Sequence, residues 1–122
     1  MKVNTVFTLK NIFYDFDKWD ITEKAAVELE RLISFLEDNV NISIELSSHT
    51  DSRGNDPYNM DLSSKRAKSA VEYLVLRGMD PERLVAKGYG ETKPVNNCRN
   101  GIECTEDKHS ENRRTEIKIL SQ

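Results

Sequence analysis

Two residues of opposite charge, Asp51 and Arg66, stand fifteen positions apart in the chain. Asp51 lies in the polar stretch SSHTDSRGNDP, which is typical of a loop, whereas Arg66 lies in a segment with helical spacing of apolar residues. Held side by side, they would bind a zwitterion, because the carboxylate takes an ammonium group and the planar guanidinium takes a carboxylate through two hydrogen bonds. The two side chains could instead pair only with each other, and spacing alone favours this interpretation because surface ion pairs are common.

A second chemical feature is the pair Cys98 and Cys104 in the segment NCRNGIECTEDKH, whose Asn, Gly and charged residues predict a surface loop. We expect a disulfide across this loop, which would stabilise the fold by about 2 to 3 kcal/mol. Two free thiols fit the same pattern. A zinc site that adds His49 and His109 is a further alternative, but the spacing is not that of a usual zinc knuckle and the chain has no second Cys pair.

Composition narrows the class of protein. A chain of 122 residues, with 37% apolar and 32% charged residues, predicts a single folded domain over 1–122. The net charge of -3 and the pI near 5.4 disfavour nucleic acid as a partner. No apolar run is long enough to span a bilayer, and the start MKVNT does not resemble a secretion signal. If the protein is exported, we expect its signal sequence to lie outside this sequence.

Hydrophobic periodicity predicts the elements that must position these residues. Alternating apolar residues predict strands over 5–9, 41–47, 84–87 and 115–120, and helical spacing predicts helices over 22–39 and 58–77. We expect Thr22 to cap the first helix and Gly78 to end the second, and 94–112 to form a long loop. The order βαβαββ predicts an α+β fold, a mixed four-stranded sheet with the helices packed on one face.

Several motifs in this order carry a family resemblance. The strings LKNIFYDFDKWDIT, HTDSRGNDPYN, LSSKRAKSAVEYL, GYGETKP and ENRRTEI together resemble the OmpA C-terminal-like family of peptidoglycan-associating domains, the group found in OmpA, Pal and MotB. The resemblance covers nearly the whole chain. It implies a non-enzymatic, cofactor-free domain in the periplasm that binds meso-diaminopimelate of the peptidoglycan stem peptide and anchors an outer-membrane or envelope protein to the cell wall.

The resemblance also implies a set of ligand-binding residues. The acidic and basic residues of the family's site fall on Asp51 and Arg66. Around them the resemblance places Thr50, Asn59, Leu62, Asp15, Phe16, Asp17 and Arg114. Alternation of faces along the last strand favours Arg114 over Arg113. Two departures are the long loop with the Cys pair, which resembles only some branches of the family, and Asp17, where other members often have Asn.

Two other functions compete with wall binding. A hydrolase could use His49 with Asp51, or a metal held by His49 and His109, but no complete set of nucleophile, base and orienting group is evident. A protein-interaction domain could use an exposed strand edge or Trp19, and homodimerisation could coexist with wall binding.

Overall fold

The structure, a computed structural model, describes residues 2–9, 14 and 18–122. Within these residues the elements are β1 (Val6–Leu9), α1 (Glu23–Asp38), β2 (Ser43–His49), α2 (Asp56–Leu76), β3 (Leu84–Gly90), α3 (Glu106–Asn112) and β4 (Arg114–Ser121). A short 3-10 turn over Pro81–Arg83 leads into β3. No helix in this part of the chain is long and apolar enough to cross a membrane.

The strands of the described residues form one mixed sheet in the order β1-β4-β2-β3. β2 is parallel to β3 and antiparallel to β4, which in turn is antiparallel to β1. At its C-terminal end β2 pairs His49 with Gly90 on one side and with Arg114 on the other. The end of β2 therefore lies beside the end of β3 and the beginning of β4, at one end of the sheet's strands.

The core lies between the sheet and the first two helices, which confirms the predicted α+β class. Apolar residues alternate along the central strands, so one face of the sheet is buried and the other carries polar side chains. The fully buried side chains on that face and on the helices include Leu29, Leu36, Ile44, Leu46, Ala67, Ala70, Leu74, Ile117 and Ile119. Burial of this apolar surface is the main force that holds the elements together.

Helix caps explain where the first two helices begin. Thr22 caps α1 as predicted, and its hydroxyl accepts a hydrogen bond from the backbone N–H of Ala25 at 3.2 Å. α2 begins at Asp56, two residues earlier than the apolar spacing predicts, because the Asn55 side chain accepts from the N–H of Tyr58 at 3.2 Å. Asn59 is consequently not the cap of this helix, and its side chain is available for other contacts.

The prediction of a continuous loop over 94–112 was wrong at its C-terminal end, where α3 forms. This helix has seven residues, almost all polar, so it has no apolar stripe from which periodicity could predict it. Its local signal is Thr105, whose hydroxyl accepts a hydrogen bond from the N–H of Lys108 at 3.3 Å. The strands β2 and β3 also run two or three residues beyond their predicted ends, to His49 and Gly90.

The two cysteines form the expected disulfide, Cys98–Cys104, with the Cα atoms 6.0 Å apart. Because both sulfurs are used in this bond, the zinc alternative was wrong. His49 lies at the end of β2, and no cluster of three or more potential metal ligands is found among the residues that the structure describes.

The close approach of β3 to α2 at Gly88 generates a prediction about stability. A Cβ atom at this position would lie 2.3 Å from the backbone nitrogen of Ser64 and 2.5 Å from its Cα. We therefore expect Gly88→Ala to lower the free energy of unfolding by about 2 to 3 kcal/mol, measured by urea denaturation. Lys87→Ala, one residue earlier and exposed, should change it by less than about 0.5 kcal/mol. Equal effects of the two substitutions would contradict the packing described here.

Candidate ligand-binding site

A cavity of about 660 Å³ opens at the end of the sheet where β2 ends and β4 begins, and the first three turns of α2 form one of its walls. The loop that follows β2 is held to the sheet by a hydrogen bond from the N–H of Thr50 to the carbonyl of Gly90, at 2.8 Å. Six of the residues that the sequence predicts for a ligand site line this cavity: Thr50, Asp51, Asn59, Leu62, Arg66 and Arg114. The other three, Asp15, Phe16 and Asp17, lie outside the described residues.

The carboxylate of Asp51 accepts several hydrogen bonds. Its Oδ1 accepts from the backbone N–H of Arg53 at 2.9 Å, and its Oδ2 accepts from Nη2 of Arg53 at 2.8 Å and from Nη1 of Arg113 at 2.6 Å. The side chain is only 9% exposed. Burial alone would raise the pKa of Asp51, but the hydrogen bonds from Arg53 and Arg113 outweigh it and hold the pKa below its usual value. Asp51 is therefore an ionised carboxylate at neutral pH.

Arg66 is ordered by different partners. Its Nε donates to the carbonyl of Lys18 at 2.8 Å, and its guanidinium lies over the ring of Tyr14, 4.9 Å from the centroid. The hydroxyl of Tyr14 donates to the carbonyl of Arg66 at 3.0 Å, and burial raises the pKa of this phenol to about 12 despite the nearby positive charge. Among the described residues, Asp51 and Arg66 thus contact different groups and do not form the mutual ion pair that the sequence left open.

Three further predicted residues complete the wall between these charges. The amide of Asn59 is 5% exposed and donates to the carbonyl of Arg53 at 3.0 Å and to the carboxyl of Glu91 at 3.1 Å, which ties the loop to the helix. The hydroxyl of Thr50 donates to the carbonyl of Asp51 at 3.0 Å. Leu62, one turn before Arg66, contributes apolar surface. The cavity therefore combines charged and apolar groups.

The two arginines at the start of β4 have different roles. Both line the cavity, but Arg113 contacts Asp51, whereas Arg114 donates to Glu116 through Nε at 2.8 Å and to the carbonyl of Lys93 through Nη2 at 2.8 Å. Alternation favoured Arg114 because it treats position 113 as part of a strand. Arg113 is in fact the C-cap of α3, so its direction does not follow the period of β4.

Two arginines that line the cavity were not predicted for it: Arg53 was overlooked, and Arg113 was set aside in favour of Arg114. The sequence signal for these two arginines is indirect. A carboxylate beside a buried strand end needs cationic partners. Arg53 is close to Asp51 in sequence, and Arg113 is close to the predicted start of the last strand. With them, four guanidinium groups and one carboxylate line the described part of the cavity, although the whole chain has a net charge of -3. This local excess of positive charge favours ligands that carry carboxylates.

His49 does not have the geometry of a catalytic residue. Its Nε2 lies 3.0 Å from the hydroxyl of Ser47 and 3.4 Å from the carboxylate of Glu116, so both neighbours contact the same ring nitrogen. A nucleophile relay requires the hydroxyl and the acid on opposite nitrogens. The ring stacks on Tyr89 with 5.2 Å between centroids and is almost fully buried. These contacts describe a structural histidine rather than the base of a hydrolase.

The fold and the motifs of this chain are shared with known proteins. A family model described as the OmpA family matches residues 13–112. The chain belongs to the OmpA family. It is 36% identical over 106 residues to the peptidoglycan-associated lipoprotein of Buchnera aphidicola, covering 87% of this chain and 58% of that protein. The crystal structure of the peptidoglycan-associated lipoprotein from Burkholderia pseudomallei superposes with a TM-score of 0.72 at 25% identity, covering 91% of this chain and 88% of that one.

A third relative shows that this OmpA-family sequence also occurs within much longer proteins. The chain is 39% identical over 114 residues to photosystem I P700 chlorophyll a apoprotein A2 of Gloeobacter violaceus, covering 93% of this chain but 13% of that protein. The chain thus spans less than two thirds of the length of either curated relative. The similarity covers a small part of that longer protein, so nothing about the function of this chain is inferred from the photosystem name.

The buried imidazole of His49 predicts a pH-dependent stability. Burial, reinforced by the charge of Arg114, lowers the pKa of His49 to about 4, although Glu116 acts in the opposite direction. An unfolded histidine titrates near 6.5, so between about pH 4 and 6.5 the unfolded state binds more protons and stability falls as the pH falls. We expect a loss on the order of 1 to 2 kcal/mol between pH 7.5 and pH 5, measured by urea denaturation.

The variant His49→Gln provides the control for this pH effect. Its side chain does not titrate, so the difference in unfolding free energy between pH 7.5 and pH 5 should shrink by about the same 1 to 2 kcal/mol. If the variant keeps the full dependence of the wild type, His49 is not its source.

Proposed function

We propose that this OmpA-family domain binds peptidoglycan non-covalently through the meso-diaminopimelate of the stem peptide and so anchors an envelope protein to the cell wall in the periplasm. The observation that carries the proposal is the placement of Asp51 and Arg66 on the walls of one cavity, each ordered by other partners. The similarity to peptidoglycan-associated lipoproteins supports the same ligand.

The chemistry of the cavity matches an amino-acid terminus. Within the described residues Oδ1 of Asp51 accepts one hydrogen bond, from the backbone of Arg53, and a carboxylate oxygen can accept a second. An ammonium group would supply that donor, while the guanidinium of Arg66 would take the carboxylate on the same carbon. Leu62 also lines the cavity and would contact the methylene groups of the diaminopimelate side chain. The domain would therefore hold the wall without cleaving it.

An interaction role through Trp19 is supported less well. The indole ring is 40% exposed, but the ammonium group of Lys65 lies 4.6 Å from its centroid. The same ammonium pairs with Asp61 at 3.0 Å, so the ring is part of a local cluster on the surface of α2. Nothing in this cluster indicates a protein partner, and wall binding remains the function that the site supports best.

The anchoring role can be tested with two neighbouring substitutions that remove the same charge. We expect Arg66→Ala to reduce co-sedimentation of the protein with purified peptidoglycan sacculi at least tenfold, because a charged hydrogen bond to the ligand carboxylate contributes roughly 1.5 to 3 kcal/mol. Lys65→Ala should bind like the wild type, since Lys65 is absent from the cavity wall and pairs with Asp61. Equal retention of both variants on sacculi would contradict the proposal.

The identity of the ligand can be tested separately by calorimetry. A tripeptide ending in meso-diaminopimelate should bind at least tenfold more tightly than the same tripeptide ending in lysine, which lacks the second carboxylate for Arg66. The difference should disappear in Arg66→Ala, because that variant has lost the group that recognises the carboxylate. Equal affinity of the wild type for both tripeptides would show that diaminopimelate is not what the cavity selects.

A further inference from the structure

Four charged side chains, of which Asp51, Arg53 and Arg113 line the cavity, form a closed ring of alternating sign with Glu106. Asp51 Oδ2 accepts from both Arg53 and Arg113, and each of these arginines also pairs with Glu106. The two carboxylate oxygens of Glu106 are divided between the arginines: Oε2 lies 2.9 Å from Nη1 of Arg53, and Oε1 accepts from Nη2 of Arg113. Two guanidinium groups therefore converge on one carboxylate, in an arrangement that we call the carboxylate seat.

Both arginines of the seat also have contacts that do not involve Glu106. Arg53 is held by Asp51 through its backbone N–H, its Nε at 3.3 Å and its Nη2. Arg113 is held by Asp51 through Nη1 and by its position at the C-terminus of α3. The N–H groups that face Glu106 are other ones, Nη1 of Arg53 and Nη2 of Arg113, so another carboxylate could accept from them without disturbing Asp51.

Glu106 is also a weakly held occupant. Its side chain is 62% exposed, and the arginine side chains that contact it are 52% and 38% exposed. Ion pairs this open to solvent contribute little, because water competes for both charges and ordering the side chains has an entropic cost. A carboxylate delivered by a ligand that is already bound elsewhere in the cavity would not pay the full cost of association and could displace it.

We propose that the carboxylate seat formed by Arg53 and Arg113 is a second ligand subsite, which takes a further carboxylate of the stem peptide and which Glu106 occupies in this structure. The inference rests on the proposed function, since the peptide is brought to the seat by its diaminopimelate terminus. Both arginines line the same cavity as Asp51 and Arg66, so one peptide can reach both subsites. Glu106 then acts as a specificity-determining residue that competes with ligand carboxylates.

The test is calorimetry of Glu106→Gln with the diaminopimelate tripeptide and with two of its monoamides. The residue before diaminopimelate in this tripeptide is a γ-linked glutamate with a free α-carboxylate. One monoamide converts that glutamate carboxylate to a carboxamide. The other converts the C-terminal carboxylate of diaminopimelate and leaves intact the carboxylate beside the free ammonium, which Arg66 would take. Because the internal competitor is lost, we expect Glu106→Gln to bind the free-acid tripeptide about three- to tenfold more tightly than the wild type does. The gain should disappear with one of the two monoamides, which identifies the carboxylate that enters the seat.

Two control variants separate this effect from a general change of charge or fold. Glu103→Gln removes one negative charge from the same exposed segment without touching the arginines, and its affinity should stay within about twofold of the wild type. Glu106→Ala removes the side chain altogether and should show the same gain as Glu106→Gln, with an unchanged unfolding midpoint.

The outcomes distinguish this inference from the proposed function. If the wild type binds none of the tripeptides, the proposed function fails and the inference with it. If the wild type binds but Glu106→Gln binds the free acid no better, or more weakly, then Glu106 supports the arginines instead of competing with the ligand and the inference alone is overturned. A gain that persists with both monoamides would likewise overturn it.

Discussion

The site depends on one interaction, the paired contact of Arg53 and Arg113 with the carboxylate of Asp51. A carboxylate that is 9% exposed would be costly to keep ionised without cationic partners. The two guanidinium groups remove that cost and come from different parts of the chain, one from the loop after β2 and one from the end of α3. The contact therefore fixes the loop, the helix and the start of β4 relative to one another.

The sheet makes this contact possible. Because β2 lies between β3 and β4, its end is adjacent to residues that are distant in sequence. α2 then has to pack closely on β3, where Gly88 leaves room for the backbone of Ser64 and the hydroxyl of Ser63 accepts from the N–H of Gly90 at 2.8 Å. This docking sets the position of α2, and with it the side chain of Arg66 almost three turns from its start. Packing of α2 on the sheet therefore places Arg66, whereas direct ion pairs hold Asp51, Arg53 and Arg113 together.

Most of the fold could be predicted because its signals are periodic. Alternation along β2 and β4 and the apolar stripe of α1 report burial directly, and Thr22 marks the start of α1. Helix α3 could not be found in this way, since its buried residues, His109 and Asn112, are polar and the helix presents no apolar stripe. Its omission had a consequence for the site, because Arg113 was then read as a strand residue and its contact with Asp51 was missed.

The same reasoning explains why the contacts of individual side chains were harder to predict than which residues line the cavity. Asp51 and Arg66 stand out because a loop carboxylate and a helix guanidinium can share a cavity, but the choice of partner depends on side-chain directions that spacing does not encode. The long segment that carries the disulfide is the clearest case. Asn100 within it donates to the carboxylate of Asp56 at 3.1 Å, at the start of α2, and Glu106 just after it reaches Arg53. The stapled loop therefore contacts both the start of α2 and the charged ring, and so supports residues that line the cavity without lining it itself.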